Sequence, residues 1–66
     1  MTIDDIEQTI ARITRVCLGD PEAAHCEEDD LYVDTLAAIA DGAENPKELA
    51  LAALQARSID YTRWYA

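Results

Sequence analysis

The chain has 66 residues, enough for one small domain that buries only about 60% of the surface its unfolded form exposes. Fourteen acidic residues against five Lys and Arg give a net charge of −9, which argues against direct binding to a phosphate backbone, where basic side chains must replace counterions. The same charge argues against an anionic membrane surface, and no run approaches the roughly 18 apolar residues of a membrane span. Two cysteines, Cys17 and Cys26, would form one bridge at most. No basic start followed by an apolar run marks a secretory leader, so the expected compartment is the reducing cytoplasm, with Cys17 a small core residue.

The first element opens at Thr2, with Asp5 three residues on as its capping-box partner. Ile3, Ile6, Ile10, Ile13 and Cys17 follow at spacings of 3 and 4, one stripe of a helix over about 3–18 that Gly19 ends. Asp20-Pro21-Glu22 starts a second helix, Asp as cap and Pro at the first helical position. It runs to about 41 and stops at Gly42, a left-handed cap. Its expected apolar face is thin at first (Ala23, Ala24, Cys26) and heavier later (Leu31, Tyr32, Leu36, Ile39, Ala40). Asn45-Pro46-Lys47-Glu48 repeats the start signal for a third helix over about 46–57, with Glu48 placed to complete a capping box with Asn45. Leu49, Ala50, Ala53 and Leu54 form its inward stripe, and Leu51 widens it. A last helical turn at about 60–65 carries Tyr61, Trp64 and Tyr65.

Short connections between three helices predict an all-α fold. The expected form is a three-helix bundle, or a helical hairpin with a packed third helix, closed by the short C-terminal turn. The Ile stripe of helix one also fits a coiled-coil seam, through which two copies could associate.

Two polar groups stand out. His25, Glu28 and Asp29 share a face of helix two, where an imidazole and two carboxylates could ligate a divalent metal or pair a general base with its orienter. A solvated helix face is the commoner meaning of such a run, and the chain has no HExxH or CxxC spacing, so no metal, cofactor or catalytic residue is assigned. The second group is the tail, where Trp and Tyr at a chain end imply a lid or a binding anchor. The expected arrangement joins the two groups as a structural clamp. Arg63 pairs with Glu28 or Asp29, and Trp64 covers the Ala-rich start of helix two near Ala24, His25 and Tyr32. Tyr61 and Tyr65 are left as the candidates for an outside partner.

The runs Asp20 to Asp29, Ile39 to Gly42, Pro46 to Leu54 and Asp60 to Ala66 resemble a pattern in small proteins of tailed phages and of actinobacterial and other bacterial genomes. That pattern reads Asp-Pro-Glu-Ala-Ala-His-x-x-Glu-Asp, Ile-Ala-x-Gly, Pro-x-x-Leu-Ala-x-x-Ala-Leu and Asp-aromatic-x-Arg-Trp-x-Ala. The resemblance spans about residues 20–66 and carries no established activity. It implies a phage or prophage accessory protein in the host cytoplasm, acting without catalysis by binding a host or phage protein.

The alternative is a nucleic-acid mimic that blocks a DNA- or RNA-binding protein with carboxylates on one exposed face. Glu22, Glu27, Asp29, Asp30, Asp34 and Asp41 are its candidates. The third reading is a metal protein or enzyme built on His25, Glu28 and Asp29. Without a nucleophile pair or a phosphate loop, it has the least support.

Overall fold

The structure, a computed structural model, describes residues 1–63. Three helices, α1 (Ile3–Val16), α2 (Pro21–Ala40) and α3 (Pro46–Leu54), are followed by a 3-10 turn (Gln55–Ser58), and each helix packs on the other two. No strand occurs among the described residues, and no described helix is long and apolar enough to cross a membrane.

Local chemistry sets the boundaries. The Thr2 hydroxyl accepts from the Asp5 N–H at 3.0 Å while the Asp5 carboxylate accepts from the Thr2 N–H at 2.8 Å, a complete capping box. Those hydrogen bonds hold the Asp5 carboxyl below the usual carboxylate range. Asp20 caps α2 by accepting from the Ala23 N–H at 3.0 Å. At the other end of α2, the Gly42 N–H donates to Ile39 and the Ala43 N–H to Ala38, the paired bonds of a Schellman motif. Gly42 reaches φ +94 to make them. The box expected at Asn45 is absent, for Asn45 makes no side-chain cap bond. Pro46 already removes one of the N–H groups that a cap would serve, and this helix start is exposed to water.

α1 contributes Ile6 and Ile13, fully buried, with Ile3, Ile10, Val16 and Cys17 packed around them. The isoleucine stripe thus faces the chain's own core, with Ile3 and Ile10 half-buried at its edge. Leu49, Ala53 and Ala56 close the core from α3 and the 3-10 turn.

α2 departs from its expected face. Its buried residues are Ala24, Glu28, Leu31 and Thr35, at spacings of 4, 3 and 4, whereas Cys26, Leu36 and Ala40 are exposed. Small residues at Ala24 and Thr35 let α1 and α3 approach. Thr35 is tolerated in the core because its hydroxyl donates to the Leu31 carbonyl at 2.8 Å. Leu51 and Leu54 are likewise exposed, so the α3 stripe narrows to Leu49 and Ala53, with Ala50 half-buried.

The last helical turn lies at Gln55–Ser58, earlier than expected, and residues 60–63 are not helical. Trp64 and Tyr65, expected as a cover for α2 and a partner contact, lie outside the described residues.

Candidate functional site

Three features of the fold bear on function: a buried carboxylate that receives the C-terminal segment, an apolar groove between α2 and α3, and an acidic cleft between α1 and α2.

Glu28 sits in phase with Ala24 and Leu31, so α2 turns it inward. Its side chain is 5% exposed, and a carboxylate so placed needs donors on both oxygens. Three converge on it. The Tyr32 hydroxyl donates to Oε2 at 2.5 Å, the Tyr61 hydroxyl to Oε1 at 2.5 Å, and the Arg63 Nε to Oε1 at 2.9 Å. Arg63 also donates to the backbone carbonyls of Ala56, Ile59 and Tyr61, and its guanidinium lies 4.0 Å from the centre of the Tyr61 ring. One cation thus gathers the 3-10 turn and the segment after it onto α2.

The electrostatics follow from these partners. Burial alone would raise the Glu28 pKa, but the hydrogen bonds from Tyr32, Tyr61 and Arg63 outweigh it and hold the group below the usual glutamate range. Burial and the Glu28 charge push both tyrosine hydroxyls well above the ordinary phenol value. A general acid or base at neutral pH requires the opposite tuning of a carboxylate, toward 7. The cluster is built to hold a proton-free Glu28 and to order the tail.

Among the expected clamp residues, the structure joins Arg63 to Glu28 and not to Asp29. His25 and Asp29 form a separate pair, Nε2 to Oδ1 at 3.5 Å, so His25, Glu28 and Asp29 do not converge on one point. Among the described residues, no group of three His, Cys, Asp or Glu is placed to hold a metal ion. Tyr61, expected to meet a partner, instead turns its hydroxyl into the fold. Glu28 has the helical phase of Ala24 and Leu31, and a buried acid requires donors beyond Tyr32, but nothing in the sequence assigns that part to Tyr61.

The groove is lined by Tyr32, Thr35, Leu36 and Ile39 of α2 and by Ala50, Ala53 and Leu54 of α3, and encloses about 220 Å³. Among the described residues that line it, the polar side-chain atoms are the Tyr32 and Thr35 hydroxyls, which already donate to Glu28 and to the Leu31 carbonyl. What remains for a ligand is apolar. Leu36 at its rim is 65% exposed and Leu54 41%.

The acidic cleft holds Asp5 of α1 with Glu27, Asp30 and Asp34 of α2, and Arg12 enters it to meet Glu27 at 2.7 Å. Glu27, Asp30 and Asp34 share one side of α2, and Tyr32, Leu36 and Ile39 share another. The helix therefore presents carboxylates on its α1 shoulder and apolar side chains on its α3 shoulder. Leu18, 87% exposed in the turn after α1, lines neither feature.

No protein-family model matches this chain, and no curated protein or solved structure does so either.

Proposed function

We propose that this chain acts by protein–protein binding, without catalysis, through the apolar groove between α2 and α3. The observation that carries this reading is the exposure of Leu36 and Leu54 beside a groove whose polar atoms are already satisfied. Water gains no hydrogen bonds there, and an apolar side chain entering it is driven by burial. Helical grooves of this kind accept the apolar face of another helix at i, i+3 and i+7 spacing. The resemblance of residues 20–66 to small phage and actinobacterial proteins points to an accessory role inside a bacterial cell, with a host or phage protein as a candidate partner.

The experiment is a capture with the tagged chain from a bacterial lysate that also contains an untagged copy, so that foreign and self partners are both scored. Leu36→Asp and Leu54→Asp should each abolish retention of a specific protein while Leu18→Asp leaves it unchanged, with helical circular dichroism retained in all three. Retention indifferent to Leu36→Asp and Leu54→Asp would remove the groove from the function.

A second reading is favoured by the α1 shoulder of α2. Glu27, Asp30 and Asp34 recur along about 10 Å of helix in one cleft with Asp5, as a blocker of nucleic-acid-binding proteins requires. Glu22, Asp29 and Asp41 stand outside that cleft, and Glu27 is tied to Arg12, which leaves the stripe shorter than the six acids of the sequence reading.

A further inference from the structure

Resting on the groove as the binding surface, we infer that its occupant is a second copy of this chain, paired about a two-fold axis that runs along the groove.

The first ground is the balance of apolar side chains. Among the described residues the large aliphatic side chains in the core are Ile6, Ile13, Leu31 and Leu49, whereas Met1, Leu18, Val33, Leu36, Leu51 and Leu54 are exposed. Six are exposed against four buried, with Ile3, Ile10, Val16 and Ile59 half-buried against the core, and two of the exposed ones, Leu36 and Leu54, line the groove. Domains of this size gain stability from an added subunit when their own core is small. A cover present whenever the chain is present serves that need better than an occasional partner.

The second ground is charge. The chain has only five cations. Arg12 and Arg63 are in ion pairs, and Arg15 lies on α1. The other two bracket the groove along the α3 wall. Lys47 precedes Ala50 by three residues and is exposed. Arg57 follows Leu54 by three in the 3-10 turn and is exposed. Neither makes an ion pair among the described residues. The α2 wall is anionic at matching levels. Asp29 stands three residues before Tyr32, near the Arg57 level, and its side chain stays 65% exposed while one oxygen lies 3.5 Å from His25 Nε2. At the Lys47 level lies the C-terminus of α2, with Asp41 and the negative end of the helix dipole.

A two-fold axis along the groove lays α3 of one copy on α2 of the other at the same level, because rotation about that axis leaves height along it unchanged. Arg57 then faces Asp29 of the second copy, and Lys47 faces the α2 C-terminus of the second copy. Leu36 and Leu54 cover one another's grooves. A foreign helix would have to supply one cationic and one anionic edge around its apolar stripe. A second copy carries both by construction. The repulsion between two chains of net charge −9 is screened beyond about 8 Å at physiological salt, and this face carries the cations Lys47 and Arg57.

Sedimentation equilibrium of the full chain between micromolar and millimolar concentration tests the inference. The wild type should dissociate reversibly from dimer to monomer. Leu36→Asp should raise the dissociation constant at least a hundredfold, with helical circular dichroism retained. Asp29→Arg and Arg57→Asp should each weaken self-association about tenfold, and an equimolar mixture of the two single variants should recover most of the loss as a heterodimer, which no effect confined to one chain would produce. A wild type that is monomeric throughout, or charge variants that fail to rescue one another, overturns the inference. If the monomer still captures a foreign protein through Leu36 and Leu54, the groove stands as a binding surface and only its occupant is wrong. If Leu36→Asp and Leu54→Asp alter neither self-association nor capture, both fall.

Discussion

Arg63 Nε lies 2.9 Å from Glu28 Oε1 across 35 residues of chain, and this contact explains how a non-helical C-terminal segment is held on a core of few large side chains. Removing one member of a buried ion pair leaves the other unpaired at a cost of about 3–5 kcal/mol. Glu28→Ala should therefore lower the stability of the chain by about that amount, read as the midpoint of urea unfolding at constant slope. A loss below about 1 kcal/mol would mean that the clasp is not formed in solution.

The two tyrosines separate the α2 side of the clasp from the tail side. Tyr61→Phe and Tyr32→Phe each delete one hydrogen bond to a charged acceptor, worth about 1.5–3 kcal/mol. Both donate to one carboxylate, so their effects should not add, and the double variant measures the coupling. Only Tyr61→Phe should also speed amide exchange across residues 59–63, because Tyr32 belongs to α2. Equal exchange in the two variants would contradict the assignment.

Stability should fall at both ends of the pH scale. An unfolded glutamate titrates at about 4.3, and Glu28 lies lower in the folded chain. Its contribution is thus fully present above that value and is lost as the pH falls through the folded one. For Tyr32 and Tyr61 the folded chain keeps the phenol proton that the unfolded chain releases near 10, so stability declines as the pH rises above about 10. Thermal melts across pH 2–12 test this. Glu28→Gln should reduce the acid-side loss, and an unchanged acid limb would assign it to other carboxylates.

Caps and turns give sharp contrasts. Thr2→Ala removes a formed capping box and should cost about 1 kcal/mol. Glu48→Ala removes no cap bond, and its effect should stay within about 0.5 kcal/mol. Gly42→Ala meets no steric neighbour but forces a Cβ into the left-handed region, a loss of about 1–2 kcal/mol. In a domain this small each kcal/mol moves the melting midpoint by roughly 4–8 °C, so calorimetry resolves the three.

The helices were legible because their signals are local. Thr2 with Asp5, Asp20 before Pro21, and Gly42 mark ends by backbone chemistry that does not depend on the rest of the fold. The faces of α2 were not legible to the same degree. Composition favours Leu36 and Ile39 as core and Glu28 as surface, yet the packing of α1 and α3 selects the stripe of small residues. Leu36 is left outside, and Glu28 is admitted only because Tyr32, Tyr61 and Arg63 satisfy it. The Arg63 contact with an acid of the His25 region follows from the scarcity of cations in an acidic chain. Which acid it takes, and that Tyr61 joins it, depends on where the 3-10 turn aims the chain, and no local signal encodes that direction.

The most direct test of the Glu28 clasp is a carbon-detected NMR titration of its carboxyl group, followed together with the Tyr61 ring signals. The midpoint should lie below the ordinary glutamate range, and the Tyr61 signals should shift with the same midpoint as the donor loses its acceptor. A midpoint at or above the ordinary range, or Tyr61 signals indifferent to the titration, would contradict the clasp and return Tyr61 to the surface.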